Sequence, residues 1–128
     1  MAPVSVAEDR SEWLRCRPWI EAALPYARGT HTIEDIEAGI ARGQFVFWSG
    51  QKSAIITEII EYPRARVMHY FLLGGDLTEL VEFMEPRITH WAKTQGCNAV
   101  SGAGRRGFER VFARSGFKPA WTVIFKEI

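Results

Sequence analysis

At 128 residues, with 47% apolar and 24% charged residues, the chain has ordinary globular composition. That length suffices for one α+β domain over 1–128, residues 1–10 being a loose lead-in, that buries about two thirds of its unfolded surface. A net charge of +1 gives no general attraction to nucleic acid or membrane, and no apolar run approaches the ~18 residues of a membrane span. Cys16 and Cys97 stand far apart without metal-ligand spacing and read as reduced, buried thiols, which together with an N-terminus lacking a signal-peptide pattern points to a cytoplasmic protein.

Val4 and Val6 allow a short edge strand in the lead-in. From Ser11 the spacing of Trp13, Leu14, Ile20 and Leu24 predicts helix, with Pro18 dividing it into two short pieces. Thr32 opens a second helix: Asp35 is its capping partner, Ile33, Ile36 and Ile40 form its apolar stripe, and Gly43 ends it. The period then becomes extended. QFVFWS, a turn over residues 49–52 and SAIITEIIEY predict a hairpin, and Pro63 marks the turn into a third strand, RVMHYFLL. Ala54, Ile56 and Ile60 point one way and Ile55 and Ile59 the other, so helices are expected on both faces of an antiparallel meander.

The third strand runs through Gly74 and Gly75 into a long helix, with Asp76 and Glu79 at capping spacing. Leu77, Leu80, Val81, Met84, Ile88, Trp91 and Ala92 form its core stripe, Pro86 marks a kink, and His90 sits beside the stripe. Residues 97–101 read as a short buried strand. GAGRRGFERVFARSG then predicts a glycine-rich loop and a short helix with Val111 and Phe112 inward, and FKPAWTVIFKEI a final strand. A strand-helix-strand crossover from the central strand requires a partly parallel, mixed sheet. Trp48 and Trp121, on predicted strands, are candidates for a buried partner surface.

The Gly74-Gly75 junction sets free N–H groups and the positive end of a helix dipole at the end of a strand, where α/β proteins commonly hold anions. A tight turn that needs glycine is the alternative reading. Arg105 and Arg106, in a glycine-rich turn before a helix start, are candidates for bidentate phosphate binding or, equally, for a solvated loop tip. No Walker, dinucleotide or nucleophile-elbow motif occurs, and three histidines and two cysteines at these spacings make no metal site.

This element order, together with Phe112-Ala113-Arg114-Ser115-Gly116-Phe117, which is similar to a Y-x-x-x-G-F ending, resembles the GCN5-related N-acetyltransferase (GNAT) fold from Thr32 onward. The resemblance implies a mixed, mainly antiparallel sheet with helices on both faces, acetyl-CoA as cofactor, and a small-molecule or peptide amine as acceptor. It also implies that amides around Leu73, Gly74 and Gly75 hold the pantetheine arm or polarise the thioester, with Arg105 or Arg106 on a CoA phosphate. Glu58, Glu61 and His69 are then the candidate bases, each weighed against a purely structural role. Three departures stand out: Phe71 occupies the place of an Arg or Gln before the glycines, Asp76 brings negative charge toward a diphosphate, and Phe112 replaces a tyrosine acid. THTIEDIEAGIARG, Tyr62-Pro63-Arg64, LLGGDLTEL and GRRGFERV further resemble small GNAT-like proteins of tailed phages and prophages. That implies, as the second reading, a catalytically silent shell packaged with virion proteins or acting as an accessory protein.

Overall fold

The computed structural model describes residues 3, 9–104 and 107–128; the expected edge strand through Val4 and Val6 and the Arg105-Arg106 pair lie outside them. Asp9 opens helix α1 (Arg10–Ala23) by accepting the Glu12 N–H at 3.1 Å. Trp13, Cys16, Ile20 and Ala23 fall at helical spacing and are all buried. The proline at position 18 was expected to split this stretch, but α1 is continuous through it. An internal proline costs one backbone bond and about 3 kcal/mol; burying side chains the size of Ile20 and Trp13 returns about 1.5–3 kcal/mol each, so packing prevails. A 3₁₀ turn at Leu24–Ala27 follows, ended by Arg28 in the left-handed conformation.

Helix α2 (Ile33–Ala41) forms as expected. Thr32 accepts the Asp35 N–H at 3.2 Å, Asp35 accepts the Thr32 N–H at 2.8 Å, and Gly43 lies just beyond the end at φ +80°. Strands β1 (Phe45–Ser49), β2 (Ser53–Tyr62) and β3 (Ala65–Gly75) make the antiparallel meander, and β4 (Ala99–Gly102) joins β3 in parallel. The sheet order is β1-β2-β3-β4. Trp13, Ile20, Ile36, Phe45, Phe47, Ala54, Ile56 and Leu72 form the core on the α1/α2 face. Trp48, Ile55, Met68, Tyr70, Leu80, Met84 and Ile88 form the second core, on the opposite face. Helices therefore cover both faces, as the two-sided strand pattern requires. Trp48 belongs to the second core, its indole N–H donating to Thr57 Oγ1 at 2.9 Å, so it is a core residue and not a partner surface.

The long helix begins at Asp76 but is π-helical over Glu79–Met84 before continuing as α3 (Glu85–Thr94). Pro86 has no N–H for the carbonyl of Glu82, and the preceding turn widens until the Glu85 N–H reaches Leu80 O. Leu80, Met84, Ile88 and Ala92 are buried as expected; Leu77, in the first turn, is exposed. Three bonds fasten the start of β4 to β3: Arg66 N–H to Asn98 Oδ1 at 2.9 Å, Asn98 N–H to Arg66 O at 3.0 Å, and Arg66 Nε to Gln95 O at 2.9 Å. The buried strand expected over 97–101 is thus shifted, and it is half-exposed because one edge has no neighbour. Helix α4 (Phe108–Phe112) and a 3₁₀ turn end at Gly116. The final strand predicted for FKPAWTVIFKEI does not form: residues 117–128 carry no regular structure, and Trp121, Val123, Ile124, Phe125 and Ile128 are exposed. β-propensity describes fit to a pleated, half-buried surface, and among the described residues no strand pairs with this segment to provide one.

Candidate functional site

β3 stays paired to β2 up to Ser53↔Gly75, whereas its pairing with β4 stops at Tyr70↔Gly102. The parting point coincides with a β-bulge. Ile56 opposes Leu72 and Thr57 opposes Tyr70, which leaves Phe71 as an extra residue on β3 and raises the local twist. Residues 71–75 consequently line an opening in the sheet. Trp19, Ala22, Ala23 and Tyr26 of α1 and its following turn wall it on one side, and Ala103, Gly104 and Phe108 on the other. The cleft is open to solvent and has a volume of about 190 Å³.

Strand alternation decides which amides face it. The Asp76 N–H donates to Lys52 O at 2.9 Å, which makes 52/76 and 54/74 the hydrogen-bonded pairs of the ladder. Gly74 therefore turns its N–H and C=O to β2, while the N–H groups of Leu73 and Gly75 point the other way, into the gap that β4 vacates. Both glycines also have packing reasons. A β-carbon on Gly74 would run into the Trp19 carbonyl, and Gly75 combines φ +104° with a position where a β-carbon would meet Lys52 O. Gly74 is half-buried, and Gly75, Asp76, Leu77 and Thr78 are exposed. Asp76 Oδ2 accepts the Glu79 N–H at 2.9 Å and so caps the helix.

Glu58 and His69, far apart in sequence, are register partners on β2 and β3, and Ser101 of β4 is the next in line. All three sit on the α1/α2 face of the sheet. His69 Nδ1 lies 3.0 Å from Ser101 Oγ, and Gln44 Nε2 donates to Glu58 Oε2 at 3.0 Å. Burial lowers the His69 pKa and the Glu58 charge partly offsets it, so the ring favours its neutral, proton-accepting form. Two residues along β3, Phe71 reaches the cleft; it stacks on Phe45 at 5.4 Å and meets the His31 ring at 4.8 Å. Ser101 and Gln44 were not singled out from sequence, because only the β3–β4 and β1–β2 registers bring them to this row.

Glu61 is exposed near the end of β2 and pairs with Arg66, and the remaining polar or reactive groups fall elsewhere. Tyr70 lies on the opposite face, its hydroxyl 3.5 Å from Glu85 O, and burial followed by the Glu85 charge pushes its pKa up, so it holds its proton. Phe112 is packed edge-on against Phe108 and Phe117. Cys16 is a buried free thiol whose pKa burial pushes up to about 11, and Cys97 is half-buried. A larger hollow of about 410 Å³ at Glu12, Arg15, Glu79 and Arg87 has most of its charges committed. Arg15 donates to Gly50 O and Gln51 O at 2.6 and 2.8 Å, and Glu79 accepts the Lys52 N–H at 2.9 Å, pinning the β1–β2 turn.

A meander, a crossover helix, and a parallel fourth strand that leaves the third halfway along define the GNAT fold, and comparison with solved structures agrees. The chain is similar to the aminoglycoside N-acetyltransferase AAC(6')-Iy in complex with CoA, at 12% identity and TM-score 0.68 over 95% of this chain and 90% of that one. It is similar to the BH1408 protein of Bacillus halodurans, solved as a tetramutant, at 12% identity and TM-score 0.67 over 98% and 97%. The 6'-N-acetyltransferase AAC(6')-IG of Acinetobacter haemolyticus matches at 14% identity and TM-score 0.64 over 98% and 95%. At these identities the likeness is one of fold. No family model matches the chain, and no curated protein matches it. Among the described residues no helix is long and apolar enough to cross a membrane.

Proposed function

We propose that the protein is an N-acetyltransferase that passes an acetyl group from acetyl-CoA to a small amine bound in the same complex. The observation that carries this reading is the opening between β3 and β4, into which the Leu73 and Gly75 N–H groups point. The similarity to an aminoglycoside acetyltransferase solved with CoA supports it. Acetyl-CoA, when bound, supplies an activated thioester. The Leu73 N–H polarises a carbonyl held beside it, and the Gly75 N–H and the exposed first turn of the long helix receive phosphate oxygens. Arg105 and Arg106 follow Gly104, which lines the cleft, and are assigned to phosphate on that placement in sequence. Neutral His69, with Ser101 on one ring nitrogen and Glu58 beside it, takes the amine proton directly or through water.

Asp76, as the cap of the helix start, opposes an anion there. At a few ångströms like charges repel by about 1–4 kcal/mol, so acetyl-CoA binding is weakened without being abolished. Calorimetric titration with acetyl-CoA tests the reading: heat with a micromolar constant is expected. Silence up to millimolar concentration would leave the second reading, a GNAT-like shell without catalysis that works through protein contacts, in a phage virion or as an accessory protein. Asp76, proton-less Phe112 and the exposed apolar residues at the C-terminus favour that alternative.

A further inference from the structure

The chain carries both an unfilled sheet edge and an unused strand, and holds them apart. β4 stands at the end of the sheet, and among the described residues nothing pairs with its outer edge. Residues 117–128 have the sequence of a strand: laid out with a period of two, Trp121, Val123 and Phe125 share one face and Ile124 and Ile128 the other. In its own chain this segment is anchored at two distant places. Phe117 packs against Tyr70 and Phe112 on the α3 side, with ring centroids 6.0 and 5.6 Å apart, whereas the Arg28 guanidinium lies 4.6 Å over the Phe125 ring at the corner after α1. Between these anchors it forms no strand and does not pair with β4.

We infer that residues 118–127 of one copy add as a strand to the outer edge of β4 in a second copy, the exchange being reciprocal about a two-fold axis. The exposed area matches such an interface. Trp121 is 77% exposed, Val123 68%, Ile124 91% and Phe125 52%. With an aromatic side chain burying about 150–250 Å², each tail offers on the order of 500 Å² of apolar surface over its two faces. Two tails reach on the order of 1,000 Å² before the receiving edges are counted, approaching the ~1,200–2,000 Å² of specific interfaces. Strand addition would also pair the backbone groups of the edge, which otherwise invite uncontrolled association.

The test uses the full chain. Sedimentation or light scattering at micromolar concentration is expected to give twice the 14.6 kDa chain mass. Amides of 121–125 should then be protected from hydrogen exchange, and protection should fall on dilution together with the mass. Trp121→Asp/Val123→Asp, which charges one face of the tail and leaves both cores untouched, should halve the mass while keeping the circular dichroism of the parent. Val123→Pro provides a second variant, since it removes a ladder N–H without adding charge. A monomer with protected tail amides would overturn the inference in favour of pairing within one chain. A monomer with unprotected amides, or a dimer that survives both variants, would equally overturn it.

Discussion

The Asp76 carboxylate caps the long helix through the Glu79 N–H and in doing so sets a negative charge beside the exposed Gly75–Thr78 turn. Asparagine caps nearly as well and carries no charge. Asp76→Asn is therefore expected to tighten acetyl-CoA binding about tenfold, the lower end of the 1–4 kcal/mol repulsion, with little change in melting temperature; unchanged affinity by calorimetry would place the diphosphate elsewhere. Substituting Gly75 is a poorer probe, because strain at φ +104° and the clash with Lys52 O would disturb the hairpin before any ligand is considered. His69 gives a pH signature. Its folded pKa lies below the usual 6.5, so the unfolded chain binds the proton more readily. The stability this group contributes is full above about pH 6.5 and is lost as pH falls through the folded pKa. His69→Gln should flatten that part of the acid-side decline, measured as urea-unfolding free energies between pH 7.5 and 5; parallel profiles would show that the ring titrates alike in both states. Glu58 and His69 were legible as candidates one at a time. Their alignment with Ser101 depends on strand register between segments about 32 residues apart, which no local pattern encodes.

Elements whose signals are local were readable from the chain. The Thr32–Asp35 box, the Gly43 stop and the β1–β2 turn each lie within a few residues, and each formed as expected. Where tertiary packing decides, the reading failed in two opposite ways: α1 continues through Pro18 because its buried face outweighs the lost bond, and 117–128 is no strand because it has no neighbour in the sheet. Pro18 is exposed, so replacing it touches little of the core. Pro18→Ala should therefore stabilise the protein, by about 2 kcal/mol once the ~3 kcal/mol helix penalty is reduced by the entropy proline removes from the unfolded chain. A loss of stability in denaturant unfolding would mean that the seating of α1, with the Trp19 carbonyl against Gly74, depends on the proline. Thr32→Ala offers a control at a cap that does not line the cleft, with an expected cost of about 1 kcal/mol.

Across the whole molecule, one sheet divides two apolar cores, and the cleft lies where β3 and β4 part. The α1/α2 core holds the Phe45–Phe71 wall and the His69 row, and the α3 core packs the start of β4 and the helix that follows Gly75. The opening is thus a product of both cores: each holds one side of the strands that part. Neighbours Ile55 and Ile56 are fully buried, one in each core. Each truncation to alanine should cost about 2–5 kcal/mol, since a buried isoleucine loses both transfer free energy and packing around the cavity. Because their side chains share no core, the double variant should lose nearly the sum, with a coupling below about 0.5 kcal/mol. Urea unfolding of the four proteins in that cycle measures it. A coupling of several times that size would show that the sheet relaxes as one body when either face is hollowed. The gap between β3 and β4 would then close from a mutation on either side.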